Sequence, residues 1–259
     1  MQGIKIILAA FCLLAACWLV PFAAIANDDG PNIDPKADTI LRQMCDYMAH
    51  QKHFIVKAET THESILDNGE KLMFLNQVTV YLKRPDKIYS YRKGMVRNQE
   101  IFYDGKKLTL YSKGLNLWAS TPAPSTIDKA MDFAISELGL SAPGGDLFYS
   151  DAYKGLMEDV ISGAYIGENE VGGIPCYHLA FRGADVDWQI WVQKGDKPLP
   201  RKYVIISKWT TGAPEYTMTI KQFDASTPIP DERFNFIPPK GASRIAFALH
   251  DKIKSVLKK

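Results

Sequence analysis

The hydrophobic positions change period along the chain in the order helix, sheet, helix, sheet. From 34 to 50 they recur at helical spacing, with Ala37, Ile40, Leu41, Met44 and Met48 on one face. Asp34-Pro35 predicts the start of that helix, because Asp accepts from a free first-turn N–H and Pro has none to leave unpaired. The period then drops to two. Phe54, Val56 and Ala58 alternate with Ile55, Lys57 and Glu59. Asp67-Asn68-Gly69-Glu70 predicts a hairpin turn, since Asn-Gly accepts positive φ. The returning strand places Leu72, Phe74, Val78 and Val80 on one face, while Met73, Leu75 and Tyr81 on the other suggest cover on both sides. Further strands are predicted at 88–91, 101–103 and 108–111, the last extended by 115–118.

Pro122-Ala123-Pro124 stops the sheet. Ser125 with Asp128 has capping-box spacing, and Ile127, Ala130, Met131, Ala134, Ile135 and Leu138 form a wide apolar stripe closed by Gly139. Residues 147–160 suggest one or two short helices, with Leu156, Met157 and Val160 apolar. Strands resume at 161–165, 177–181, 186–192, 203–209 and 216–223, separated by glycine turns at the spacing of an antiparallel meander. This pattern predicts an α+β fold: a single strongly curved antiparallel sheet, an open, incomplete barrel of about ten strands, with helices against its concave side.

The first 26 residues stand apart. Lys5, the apolar run 6–20 and Ala24-Ile25-Ala26 have the layout of a secretory signal peptide. Leu14-Ala15-Ala16-Cys17 resembles a bacterial lipobox, so a lipoprotein signal over 1–16 with lipidation of Cys17 is the alternative. Cleavage after Ala26 is preferred, because Trp18 to Phe22 stay apolar where a lipoprotein turns polar. The expected organisation is a signal at 1–26, a linker at 27–33, one domain at 34–247 and a basic tail at 248–259. The expected location is the periplasm, either free or lipid-anchored to a membrane that faces it. Of four cysteines, Cys45 and Cys176 lie beyond the signal, as one disulfide or as two buried thiols.

Charge narrows the partners. Lys+Arg is 31 and Asp+Glu 29, a net +2, which excludes a dedicated nucleic-acid binder. No C-x-x-C pair, G-x-S-x-G elbow or Walker loop is present. His50 and His53 straddle a helix end without a third ligand, so neither a metal site nor a cofactor is expected. No catalytic constellation emerges, and the expectation is a protein that is not an enzyme. The informative feature is the same-face apolar set. On the strand from 186, Trp188, Ile190 and Val192 share one face and Trp191 takes the other. Such a face under an apolar helix fits a greasy cavity and a solid core equally well.

Two motifs tilt that balance. Trp188-x-x-Trp191-Val192 followed by Lys197-Pro198-Leu199-Pro200-Arg201-Lys202-Tyr203 resembles the late strand pair of LolA-type periplasmic lipoprotein carriers. Phe234-Asn235-Phe236-Ile237-Pro238-Pro239-Lys240-Gly241 resembles the closing motif of the same superfamily. The Asp187-to-Trp191 run and the Pro-Arg-Lys-Tyr segment are most similar to a family of uncharacterised predicted periplasmic proteins with that fold. The resemblance implies an open barrel of about eleven strands whose helices cap a hydrophobic cavity for acyl chains. It implies a monomeric carrier of an acyl-chain lipid or lipoprotein, with an envelope membrane protein as a further partner. A protein-interaction or lipid-sensing module with a mostly filled core is the alternative. The expected lining is Phe54, Val56, Phe74, Val78, Val80, Leu108, Leu110, Met131, Ile135, Met157, Trp188, Ile190 and Val192. The carriers' cavity arginine has no matching position here.

Overall fold

The computed structural model describes residues 31–247. The expected signal sequence, Cys17 and the basic tail lie outside the described residues.

One unclosed sheet organises the chain. Strand β1 (Asn32–Ile33) precedes helix α1 (Pro35–Ala49). A first meander follows: β2 (His53–Ile65), β3 (Lys71–Lys83), β4 (Lys87–Gly94), β5 (Asn98–Tyr103), β6 (Lys107–Ser112) and β7 (Leu117–Pro122). Helices α2 (Ile127–Ser136) and α3 (Ala152–Met157), with a 3-10 turn at Gly145–Phe148 between them, lead into a second meander. It comprises β8 (Val160–Val171), β9 (Ile174–Gly183), β10 (Val186–Gln193), β11 (Pro200–Ser207) and β12 (Glu215–Asp224), and a last short strand β13 is Ser243–Arg244. The spatial order is β1-β8-β9-β10-β11-β12-β2-β3-β4-β5-β6-β7-β13. The last long strand therefore pairs with the first, with Met218 opposite Thr60. The expected curved antiparallel sheet is present, and only its two-residue edge strands run parallel, β1 along β8 and β13 along β7. Asn32 and Ile33, assigned to the linker, form one of those edges.

Local signals act largely as the sequence predicts. The Asp34 side chain accepts from the Lys36 N–H at 2.8 Å and caps α1, which buries Ala37, Ile40, Leu41, Met44, Cys45 and Met48. Gly69 turns the first hairpin at φ +83°. The cap of α2 is a correction: Thr126, not Ser125, accepts from the Lys129 N–H, and Asp128 instead receives the Ser150 N–H at 3.1 Å.

Both faces of the sheet are covered only in part: of the β3 residues expected to be covered on the outer side, Tyr81 is, but Met73 and Leu75 are 57% and 68% exposed, because the outer strap does not reach that end of the strand. On the concave side, α1 and α3 pack on β8–β12, β2 and β3 in the main core. On the convex side, the chain after β12 crosses β3–β7. Phe234 is buried beside Tyr89 and Ile229, and the Phe236 ring meets Phe102 at 5.2 Å and Trp118 at 5.4 Å. The Phe-x-Phe motif is thus an outer strap that shields apolar side chains on the back of the sheet from water. A second outer cluster joins Cys176, Trp191 and Val204. It rules out the disulfide expectation. Both thiols are free and buried, Cys45 in the concave core and Cys176 on the far side of the sheet.

Asp146, in the 3-10 turn, is pressed into the concave core. Its carboxylate accepts from the Tyr203 O–H at 2.9 Å and the Leu147 N–H at 3.1 Å. Burial dominates and raises its pKa above 3.8, although both hydrogen bonds pull the other way. The folded state then holds this proton more tightly than the unfolded chain. Stability contributed by Asp146 is complete below pH 3.8 and falls as pH rises through the interval up to the raised native value. Asp146→Asn keeps an acceptor for Tyr203 and removes the titration. At pH 7 it is expected to be more stable than the wild type, with the gain vanishing below pH 3.8. Thermal unfolding followed against pH reads this, and a destabilised variant at pH 7 would refute it.

Candidate functional site

The concave side divides into two unlike halves. Under α1 and α3 the space is largely packed, with a recess of about 130 Å³ at its edge between Leu156, Val160, Trp188 and Tyr203. Trp188 stacks on Phe181 at 4.1 Å and meets Tyr203 edge-on at 5.8 Å, with Ile190 and Val192 fully buried beside them. Under α2 and the segment 140–145 a cavity of about 140 Å³ remains open. Its floor is the concave row of β2, β3 and β4: Val56, Ala58, Val78, Val80, Ile88 and Ser90. Ile101, Tyr103 and Leu108 extend the floor, and Met218 and Tyr216 bound it from β12. Ala130, Met131, Ala134 and Ile135 form the roof.

Small side chains make this space. Ala58 on the floor faces Ala130 and Ala134 on the roof, so methyl groups stand where the packed half has Trp and Phe. The segment 140–145 seals one side through close backbone approach. A Cβ on Gly145 would sit 3.1 Å from the Met131 methyl. One on Gly144, at φ +78°, would sit 3.2 Å from the Met218 methyl. The roof itself is lightly held. Of α2, only Ile127 and Ala130 are buried, and Ile135 is 49% exposed. Its tethers are at the first turns: Ile127 N–H donates to Pro85 O at 2.9 Å and Tyr149 O–H to Asp132 at 2.8 Å.

The expected lining is split by this division. Val56, Val78, Val80, Leu108, Met131 and Ile135 line the cavity. Trp188, Ile190 and Val192 belong to the packed half. Phe54, fully buried, stacks on Phe223 at 5.2 Å. Phe74 lies farther along β3, stacked on His62 at 5.3 Å. Leu110 is half-buried one step beyond Leu108 on β6, and Met157 packs half-buried against the main core from α3. Alternation assigned the right face in each strand, yet could not tell which stretch of that face α1 and α3 would cover. The lining residues outside the expected set include those on β4, β5 and β12, the segment 140–145 and Phe148. On β4 the alternation Ile88, Ser90, Arg92 carried the signal.

The polar groups at the cavity are few. Tyr103 O–H donates to Pro124 O, and burial pushes both Tyr103 and Tyr216 up to about 12, so both stay protonated donors at neutral pH. Arg92 closes the β4 row, and burial lowers its pKa. A polar recess of about 290 Å³ adjoins the cavity, sharing Arg92, Ser141, Pro143 and Tyr216 with it. His178, stacked on Trp191 at 4.1 Å and bonded to Gln189 at 2.9 Å, sits on the outer face away from both. Among the described residues no group of three His, Cys, Asp or Glu side chains is placed to hold a metal ion. No helix among them is long and apolar enough to cross a membrane.

An open antiparallel sheet whose helices roof an apolar cavity defines a class of small hydrophobic-cavity folds. Within it, the chain belongs to the family of predicted periplasmic proteins DUF2092, whose model matches residues 37–248. The periplasmic location expected from the sequence is that of its family. No curated protein matches the chain. Among solved structures it is similar to an uncharacterized conserved protein from Thermus thermophilus, with 12% identity, 82% of this chain and 99% of that one covered, and a TM-score of 0.47. It is similar to the lipoprotein LppX of Mycobacterium tuberculosis, with 11% identity, coverages of 76% and 100%, and a TM-score of 0.47. It is also similar to the LolA superfamily protein NE2245 from Nitrosomonas europaea, with 14% identity, coverages of 77% and 97%, and a TM-score of 0.36.

Proposed function

We propose that this is a non-enzymatic periplasmic binding protein that holds an acyl chain between α2 and the β2–β6 floor. The observation that carries the reading is the apolar cavity under a loosely held, apolar helix. Nothing in its lining offers a nucleophile beside a base, so the chemistry available there is burial. At about 140 Å³ the cavity is close to the size of an apolar void that accepts benzene, roughly 150 Å³. About six carbons fit, and at ~0.8 kcal/mol per CH₂ they supply ~5 kcal/mol before association costs. Such binding is weak, roughly millimolar. Tight retention of a longer chain therefore requires α2 to swing outward from its tethered first turn, letting Met131 and Ile135 cover the added methylenes. Met131 suits that adjustment, because a thioether fills irregular gaps.

Native mass spectrometry of the purified protein tests the reading. One bound acyl species, or one-to-one uptake of decanoate, is expected, with affinity rising with chain length beyond six carbons. A protein that is empty and refuses every acyl probe would overturn it. One stoichiometric protein partner captured without lipid would instead favour the interaction module.

A further inference from the structure

Arg92 is hard to account for as a structural residue. It ends the concave row Ile88, Ser90, Arg92 on β4, opposite Val78 on one side and Gln99 on the other. It lines both the apolar cavity and the polar recess. Among the described residues no carboxylate lies within ion-pair distance of it, although other surface cations such as Lys71, Lys83 and Lys194 are paired. A half-buried guanidinium without an anion gives up hydration and receives little in return.

A second cation shares the recess. Arg97, exposed in the β4–β5 turn, lines it too, and the charge of each acts on the group beside them: both disfavour protonation of His62. His62 is held neutral, mainly by burial, with its Nδ1 3.4 Å from the Asn76 amide nitrogen. Two carboxylates reach the recess, Glu63 paired with a lysine and Glu215 holding a single hydroxyl hydrogen bond. Glu63 binds Lys71 Nζ at 2.9 Å and the Glu215 N–H at 2.9 Å, and Glu215 accepts from the Thr217 hydroxyl at 2.7 Å. What remains is a donor set, Arg92, Arg97, the Tyr216 hydroxyl and Ser141, where the apolar cavity meets a polar space. Guanidinium groups recognise carboxylate and phosphate oxygens by paired, charge-assisted hydrogen bonds.

We infer that the ligand is an amphiphile with an anionic headgroup, a carboxylate or a phosphate, seated in the recess between Arg92 and Arg97 while its chain enters the cavity. The inference rests on the acyl-chain reading above and adds the headgroup to it. The carboxylate or phosphate supplies the counter-charge that Arg92 lacks, and the chain supplies the burial. Neither part alone uses both spaces.

A chain-matched series separates the two readings: decanoate, decyl phosphate, decanol and inorganic phosphate, titrated into the wild type, Arg92→Gln and Arg92→Lys. Wild type is expected to bind one of the two anionic amphiphiles at least tenfold more tightly than decanol, and inorganic phosphate not at all. The better of the two identifies the headgroup. Arg92→Gln is expected to erase that preference, and Arg92→Lys to restore part of it. Decanol binding as tightly as both anions, or a preference that survives in Arg92→Gln and in Arg92→Gln/Arg97→Gln, would overturn the headgroup and leave the cavity reading standing. Refusal of all three decyl probes would overturn both. Should Arg92→Gln fail to fold, Arg97→Gln at an exposed turn position serves instead: a preference unchanged in that variant and unchanged by added salt would overturn the inference.

Discussion

Trp188→Ala is expected to cost about 3–5 kcal/mol of stability, the range for removing a large buried aromatic side chain. The indole is 3% exposed, stacked on Phe181 at 4.1 Å and set edge-on to Tyr203. Both neighbours are anchored: Tyr203 by its hydrogen bond to Asp146, Phe181 by its fit over Gly163, where an added Cβ would lie 2.6 Å from the ring. The site cannot collapse around the void, so the cavity cost adds to the lost burial. Chemical unfolding followed by circular dichroism measures the loss. Binding of an acyl probe by the folded fraction should be unchanged. A cost below about 1 kcal/mol together with lost probe binding would place Trp188 in the ligand space and remove the division of the concave side on which the functional reading depends.

Ala134→Phe acts on the other half with the opposite signature. The new ring enters the cavity from the roof, and its size is close to that of the space, about 140 Å³. Acyl-probe affinity should fall at least tenfold, while Tm stays within a few degrees of the wild type, because the ring fills a void instead of displacing packed atoms. Displacement of a fluorescent fatty acid, with thermal unfolding as control, reads both effects. Unchanged affinity in a folded variant would put the chain somewhere other than under α2.

These two substitutions probe a difference that periodicity could not express. Alternation along β2, β3, β6 and β10 placed Val56, Val80, Leu108 and Trp188 on the same concave face, and the structure has them there. Whether such a side chain meets packed neighbours or empty space depends on the element above it. That is decided by the pairing of β12 with β2, a contact between strands more than a hundred residues apart. The pairing puts the second meander beneath α1 and α3 and leaves the first beneath α2. Arg92 went unnoticed for a related reason. A single arginine at the end of a strand reads as a solvated edge until the recess formed by β2, β11, β12 and the segment 140–145 encloses it.

The amino-acid sequence by itself determined the elements and their facing. Asp34-Pro35, Asn68-Gly69 and Gly139 act through backbone conformations and caps within a few residues, and two-residue alternation is a property of one strand. It also carried the family, through the Trp-strand and Pro-Arg-Lys-Tyr motifs, and the open curved sheet. Only the tertiary structure decided which apolar residues fill the core and which line a cavity, that Cys45 and Cys176 lie on opposite faces, and that the Phe-x-Phe strap covers the back of the sheet. Each of these is a non-local contact whose free energy depends on what another part of the chain brings to it, and local patterning holds no record of that partner.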